Sequence, residues 1–181
     1  MLTRILVEDM GSDQWFIDET KVSGLTFAVV SINSADIGAC RAKMVKLPRR
    51  VGGALHFTKE IDSTRVHALR LIAAMPLTVT LVKVPAGVHP VEARERAVRC
   101  IARRALDQRP VRIVFELDEA AVINDRRWLR SELATAGIEY LHLGKKADPV
   151  LWIPDGIAWA VQRGGRWRMM IDHLITDSVD A

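Results

Sequence analysis

Apolar residues fall into short runs whose spacing alternates between strand-like and helix-like along the chain. Gln14 to Glu19 reads as a strand ending in acid, and Leu25 to Ile32 (LTFAVVSI) is a second, β-rich run. The connection between them, Lys21 to Gly24, is short and polar and ends in glycine, so the pair reads as a hairpin. Ala35 to Leu47 reads as a helix, broken by Pro48 to Gly53. Asp62 to Met75 carries Val66, Leu69, Ile72 and Ala73 at helical spacing, and Leu77 to Val84 (LTVTLVKV) reads as the third strand. Pro90 opens a helix to about Arg109, with Ala97, Val98, Ile101, Ala105 and Leu106 on one face and arginines mostly around the others. Val111 to Leu117 (VRIVFEL) is the fourth strand, and Ile138 to Leu143 the fifth. Between them, Asn124 is positioned to cap a helix that runs to Thr135 and stops at Gly137. Asp148-Pro149 has the form of an N-cap with proline at the first helical position; the helix extends to about Gln162, with Pro154 as a kink or its true start.

An antiparallel group followed by βαβ units predicts an α/β fold: a mixed β-sheet with flanking helices. The 181 residues suit one domain, with a core over 14–161 and a C-terminal extension over 162–181. No apolar run is long enough to span a bilayer. The first ten residues carry Arg4, Glu8 and Asp9 and lack a signal peptide's apolar core, so a cytoplasmic protein without membrane partners is expected. Cys40 and Cys100 stand without a CxxC or Cys/His cluster, which argues against a zinc site or a disulfide framework. The formal net charge of +4 is compatible with a polyanionic partner. Arg49, Arg50, Arg163, Arg166 and Arg168, clustered around glycine-containing segments, are the candidates to meet nucleic acid.

Three acidic positions are not easily explained by solvation. Asp18, followed by Glu19, ends the first strand on the same face as Phe16. Glu116, followed by Asp118, stands at the carboxyl end of an apolar strand, where open α/β sheets place their ligands. The two are expected on one face. Asp155 is the sole ionisable residue between Pro149 and Val161 and shares a helical face with Trp152 and Trp159, so it needs a cation, a metal or a donor as partner. Acids converging from these elements repel one another unless a cation neutralises them, and oxygen-rich sites of this kind suit Mg²⁺ or Mn²⁺. His56, beyond a basic glycine-containing stretch, is a candidate proton shuttle or phosphate contact, although a histidine beside apolar residues is more often structural. No Ser/His/Asp signature, P-loop, dinucleotide fingerprint or HExxH motif is present.

At these residues the chain resembles the domain-of-unknown-function family numbered 3800, of the ribonuclease H-like group. Ile17-Asp18-Glu19-Thr20 corresponds to its strand ending Asp-Glu-Ser/Thr. Ala54-Leu55-His56-Phe57 corresponds in part to its Glu-Leu-His element, Glu116 or Asp118 to its mid-chain acid, and Leu151-Trp152-Ile153-Pro154-Asp155 to its Leu-Gln/Trp-x-x-Asp helix. Ala54 stands where the family carries an acid, and Lys21 where it carries glycine. The resemblance implies a ribonuclease H-like fold and a divalent-metal-dependent nuclease. Asp18, Glu116, Asp155 and His56 would be catalytic, and Asp18, Glu19, Glu116, Asp118 and Asp155 are the candidate metal ligands. The acid missing at Ala54 favours the alternative, a ribonuclease H-like module that binds nucleic acid or protein without cutting.

Overall fold

The computed structural model describes residues 12–48 and 53–181. Strands β1 (Asp13–Thr20) and β2 (Leu25–Asn33) form the expected hairpin. Gly24 closes it with φ of 104°, and a Cβ there would lie 2.4 Å from the Val84 carbonyl oxygen, so only glycine fits. Helices α1 (Ile37–Val45) and α2 (Asp62–Ala73) precede β3 (Leu77–Val84). Then come α3 (Pro90–Gln108), β4 (Arg112–Glu116), α4 (Val122–Leu133), β5 (Glu139–Leu143), α5 (Trp152–Arg163), α6 (Gly165–Met169) and β6 (Ile175–Asp180).

The six strands make one mixed sheet in the order β5-β4-β1-β2-β3-β6. β1, β4 and β5 are parallel neighbours, β2 runs against β1 and β3, and β6 lies parallel to β3. Side-chain alternation divides the core between the two sheet faces. Phe16, Val30, Leu81 and Val114 pack with residues of α1, α2 and α5 on one face, while Trp15, Ile17, Phe27 and Phe115 pack with α3 and α4 on the other. Helix α5 lies against β1 and β2 with both its tryptophans buried. No described helix is long and apolar enough to cross a membrane.

Three local expectations change. The segment 162–181 is more than an extension: it supplies α6 and then β6, which pairs with β3 from Val79 to Lys83. Ile175, Asp177 and Val179 alternate with more exposed residues in the pattern of a half-buried edge strand, but a short acidic segment gains strand identity only from the β3 edge it covers. Asn124 does not cap α4; the helix begins two residues earlier, and the Asp118 carbonyl accepts the amides of Ala121 and Val122 at 3.0 and 2.9 Å. Asp148 does cap, but for a 3-10 turn at Pro149–Leu151, where its Oδ1 accepts from the Val150 amide at 3.0 Å; Pro154 then sits in the first turn of α5. Arg49 and Arg50 lie outside the described residues.

Candidate active site

The carboxyl ends of the parallel strands β1 and β4 are neighbours, because Phe16 pairs with Val114 and Ile17 with Phe115. Extending that register sets Asp18 beside Glu116, on the face shared by Phe16 and Val114. Helix α5 crosses the same face and brings Asp155 from its first turn. The cleft they form, about 330 Å³, is also lined by Glu19, Thr20, Lys21, Thr58, Lys145, Trp159 and Gln162. Thr20 Oγ1 donates to Gln162 Oε1 at 2.8 Å and ties β1 to α5 at the rim.

The cation these acids share is Lys145. Its Nζ lies 3.2 Å from Asp18 Oδ2, 3.0 Å from Glu116 Oε2 and 3.0 Å from Asp155 Oδ1, with only 10% of the side chain exposed. Lys145 follows Leu143, which packs on the same core face, at strand parity in the turn that ends β5. The Trp152 indole donates to the Lys145 carbonyl at 2.8 Å and fixes that turn against α5. The turn is fixed further where Asp148 pairs with Arg41 through two bonds of 3.0 and 2.7 Å. Burial alone would lower the lysine pKa; attraction to Asp155, Asp18 and Glu116 outweighs it and holds the ammonium charged well above the usual range. Asp18 goes the other way. Burial, a hydrogen bond with Glu116 and repulsion from the neighbouring carboxylates raise its pKa well above the ordinary carboxylate value, against the opposing pull of Lys145. Asp18 therefore holds its proton more readily than it would in water.

His56 is not among the residues lining this cleft. Its segment contributes differently: the Phe57 amide donates to Asp155 Oδ2 at 3.1 Å. Gly156 makes that approach possible, since a Cβ there would come within 2.5 Å of the Phe57 ring.

Glu19 also lines the cleft, but its carboxylate and that of Asp118 pair in a different cluster. Glu19 points to the opposite sheet face, as alternation requires, and β4 ends at Glu116, so the chain has turned before Asp118. Both acids meet Lys21 Nζ, at 3.2 and 3.1 Å. Arg94 lies 2.7 Å from Glu19 and grips the fully buried Asp125 through two bonds of 2.8 Å. Burial would raise the Asp125 carboxyl, but His142 and Arg94 hold it below its usual pKa. An apolar hollow of about 430 Å³ on this face reaches the acid cleft through Lys21 but contains none of its three acids.

The predicted arginines fare similarly. Arg166 pairs with Asp62 at 3.0 Å and Arg168 with Asp172 at 3.1 Å, Arg163 lies over the Trp159 ring, and none of the three lines the cleft. The paired glycines 164 and 165, both at positive φ, turn the chain between α5 and α6. Lys145 was not a sequence candidate. Adjacent lysines in a turn read as solvated charge, and the available signal was strand parity with Leu143 beside Glu116.

A mixed six-stranded sheet with helices on both faces, and acids gathered at the carboxyl ends of its parallel strands, is an α/β domain of ribonuclease H-like fold. The structural comparison is with RNase HII from Archaeoglobus fulgidus, solved in complex with PCNA. It superposes with a TM-score of 0.56 at 17% identity, over 83% of this chain and 73% of that one. No family model and no curated protein matches the sequence.

Three carboxylates facing one position are the hard oxygen donors Mg²⁺ and Mn²⁺ prefer. As the side chains stand, no group of three or more His, Cys, Asp and Glu among the described residues is set to hold a metal, and the shared position belongs to Nζ. The donor chemistry fits the ion; a Mg²⁺ would require these oxygens to close to about 2.1 Å.

Proposed function

We propose that this chain cleaves phosphodiester bonds in nucleic acid, using Mg²⁺ or Mn²⁺ held by Asp18, Glu116 and Asp155. The observation that carries the reading is the convergence of one carboxylate from each of β1, β4 and α5 on a single cation position at the carboxyl edge of the sheet. The fold shared with an RNase HII supports it. When bound, a divalent ion in such a site activates water and neutralises phosphate charge.

The chain's own groups supply the rest. Asp155 is oriented by the Phe57 amide, so one oxygen stays directed into the cleft. Asp18 is buried and holds its proton readily, which, with Lys145, lets the acids stand close together. Lys21, 64% exposed at the rim and paired with Glu19 and Asp118, is an ammonium that an entering phosphate would meet. Thr58 and an edge of the buried Trp159 line the cleft beside the acids.

A second reading, a module that binds nucleic acid without cutting it, is favoured by one observation: Lys145 already pairs with all three acids. End-labelled RNA, DNA and RNA–DNA hybrid, each incubated with Mn²⁺, Mg²⁺ or EDTA, separate the two. Metal-dependent cleavage by the wild type, abolished in Asp155→Asn, supports the nuclease. Binding without cleavage of any substrate supports the module.

A further inference from the structure

Lys145 occupies the point that a shared metal ion would need. Its Nζ is 3.0 to 3.2 Å from an oxygen of each acid, and a second cation placed among those oxygens would overlap it sterically and repel it. The backbone beneath is pinned by the Trp152 indole and by the turn in which the Ala147 amide donates to the Gly144 carbonyl at 2.8 Å. The ammonium above that backbone is carried on a four-carbon stem of rotatable bonds. An arginine's planar fork would hold the carboxylates through several bonds at once. The acids, for their part, are fixed on two strands and a helix, so the exchange needs side-chain rotation and no movement of the fold.

We propose that Lys145 is a built-in counter-cation that competes with the divalent ion, so that metal enters only as the ammonium swings out of the acid cluster. This rests on the reading of Asp18, Glu116 and Asp155 as metal ligands. The resting protein is thereby kept folded and weakly metal-binding, and the released ammonium lies beside the ion. Lys145 is then a positioning residue that sets the metal affinity of the site.

Calorimetric titration of the purified protein with Mn²⁺ tests it without reference to cleavage. Lys145→Gln should bind Mn²⁺ more tightly than wild type by about tenfold or more, and Lys145→Arg no more tightly than wild type. Three uncompensated acids can prevent Lys145→Gln from folding. The same comparison is therefore made between Glu116→Gln and the double variant Glu116→Gln/Lys145→Gln, whose cluster keeps the wild type's formal charge. A similar gain is expected there. Equal affinities with and without Lys145 overturn the competition while leaving the metal site standing. Absence of Mn²⁺ binding in every variant at millimolar metal overturns both this inference and the proposed metal-dependent function.

Discussion

Lys145 carries three buried ion contacts at once, and removing it leaves three carboxylates facing one another with no cation between them. Lys145→Gln should therefore destabilise the metal-free protein by about 3–5 kcal/mol, the usual cost of breaking a buried ionic group from one side. Saturating Mn²⁺ should recover much of that loss by mass action. Thermal melts with and without Mn²⁺ check both parts; a variant as stable as wild type without metal would show that the acids are neutralised in some other way. Asp125 offers a pH-dependent counterpart on the opposite face. Its folded pKa is depressed, so it contributes stability that is present above the unfolded value, near 3.8, and lost as pH falls through the lower folded value. Asp125→Asn should cost about 3–5 kcal/mol at neutral pH because it weakens the grip on buried Arg94. The gap from wild type should narrow in acid below pH 3.8. Melts across the acid range measure it, and a gap independent of pH would assign the loss to packing. Of these residues, Asp18, Glu116 and Asp155 were legible in the sequence, because an acid at a strand end or on an apolar helix face has to find a partner. Lys145 and Arg94 were not: a cation in a turn or on an arginine-rich helix looks the same whether it faces solvent or a carboxylate across the fold.

At the scale of elements, the site depends on the contact between α5 and the 3-10 turn at Phe57–Lys59. Gly156 admits the Phe57 ring, and that contact brings the Phe57 amide to Asp155. Gly156→Ala should push the ring away and cost about 1–3 kcal/mol through overpacking, despite alanine's better helix propensity. It should also lower cleavage or Mn²⁺ affinity, because Asp155 loses the donor that orients it. Unchanged stability would mean that the ring moves without resistance. The strands β1 to β5 were legible to within a residue or two, since their apolar runs are bounded by glycine, proline or acid. Asp118 and His56 were misplaced because assigning either to the site required knowing where a strand stops and which way the following chain turns. The end of β4 at Glu116 is set by pairing with Leu143, a partner distant in sequence.

For the molecule as a whole, β6 completes the sheet at the edge remote from β5. Deleting residues 175–181 should uncover β3, remove the Arg104–Asp177 ion pair and lower the melting temperature. The exposed edge should also promote concentration-dependent association. Light scattering across a concentration series, alongside a thermal melt, tests this; a monomeric truncation of unchanged stability would show that β6 contributes little. The chain's alternating apolar periods determined the α/β class and the order of its first five strands, because periodicity records which side of each element faces the core. The sequence also marked the three acids, because their apolar surroundings make an isolated charge costly. Only the tertiary structure decided which acids meet, that the Glu19 and Asp118 carboxylates pair with Lys21 instead, that the tail is a sixth strand, and that the shared cation is Lys145. Each of those outcomes depends on strand register and on which segments pack together, contacts between residues far apart in the chain that no local pattern encodes.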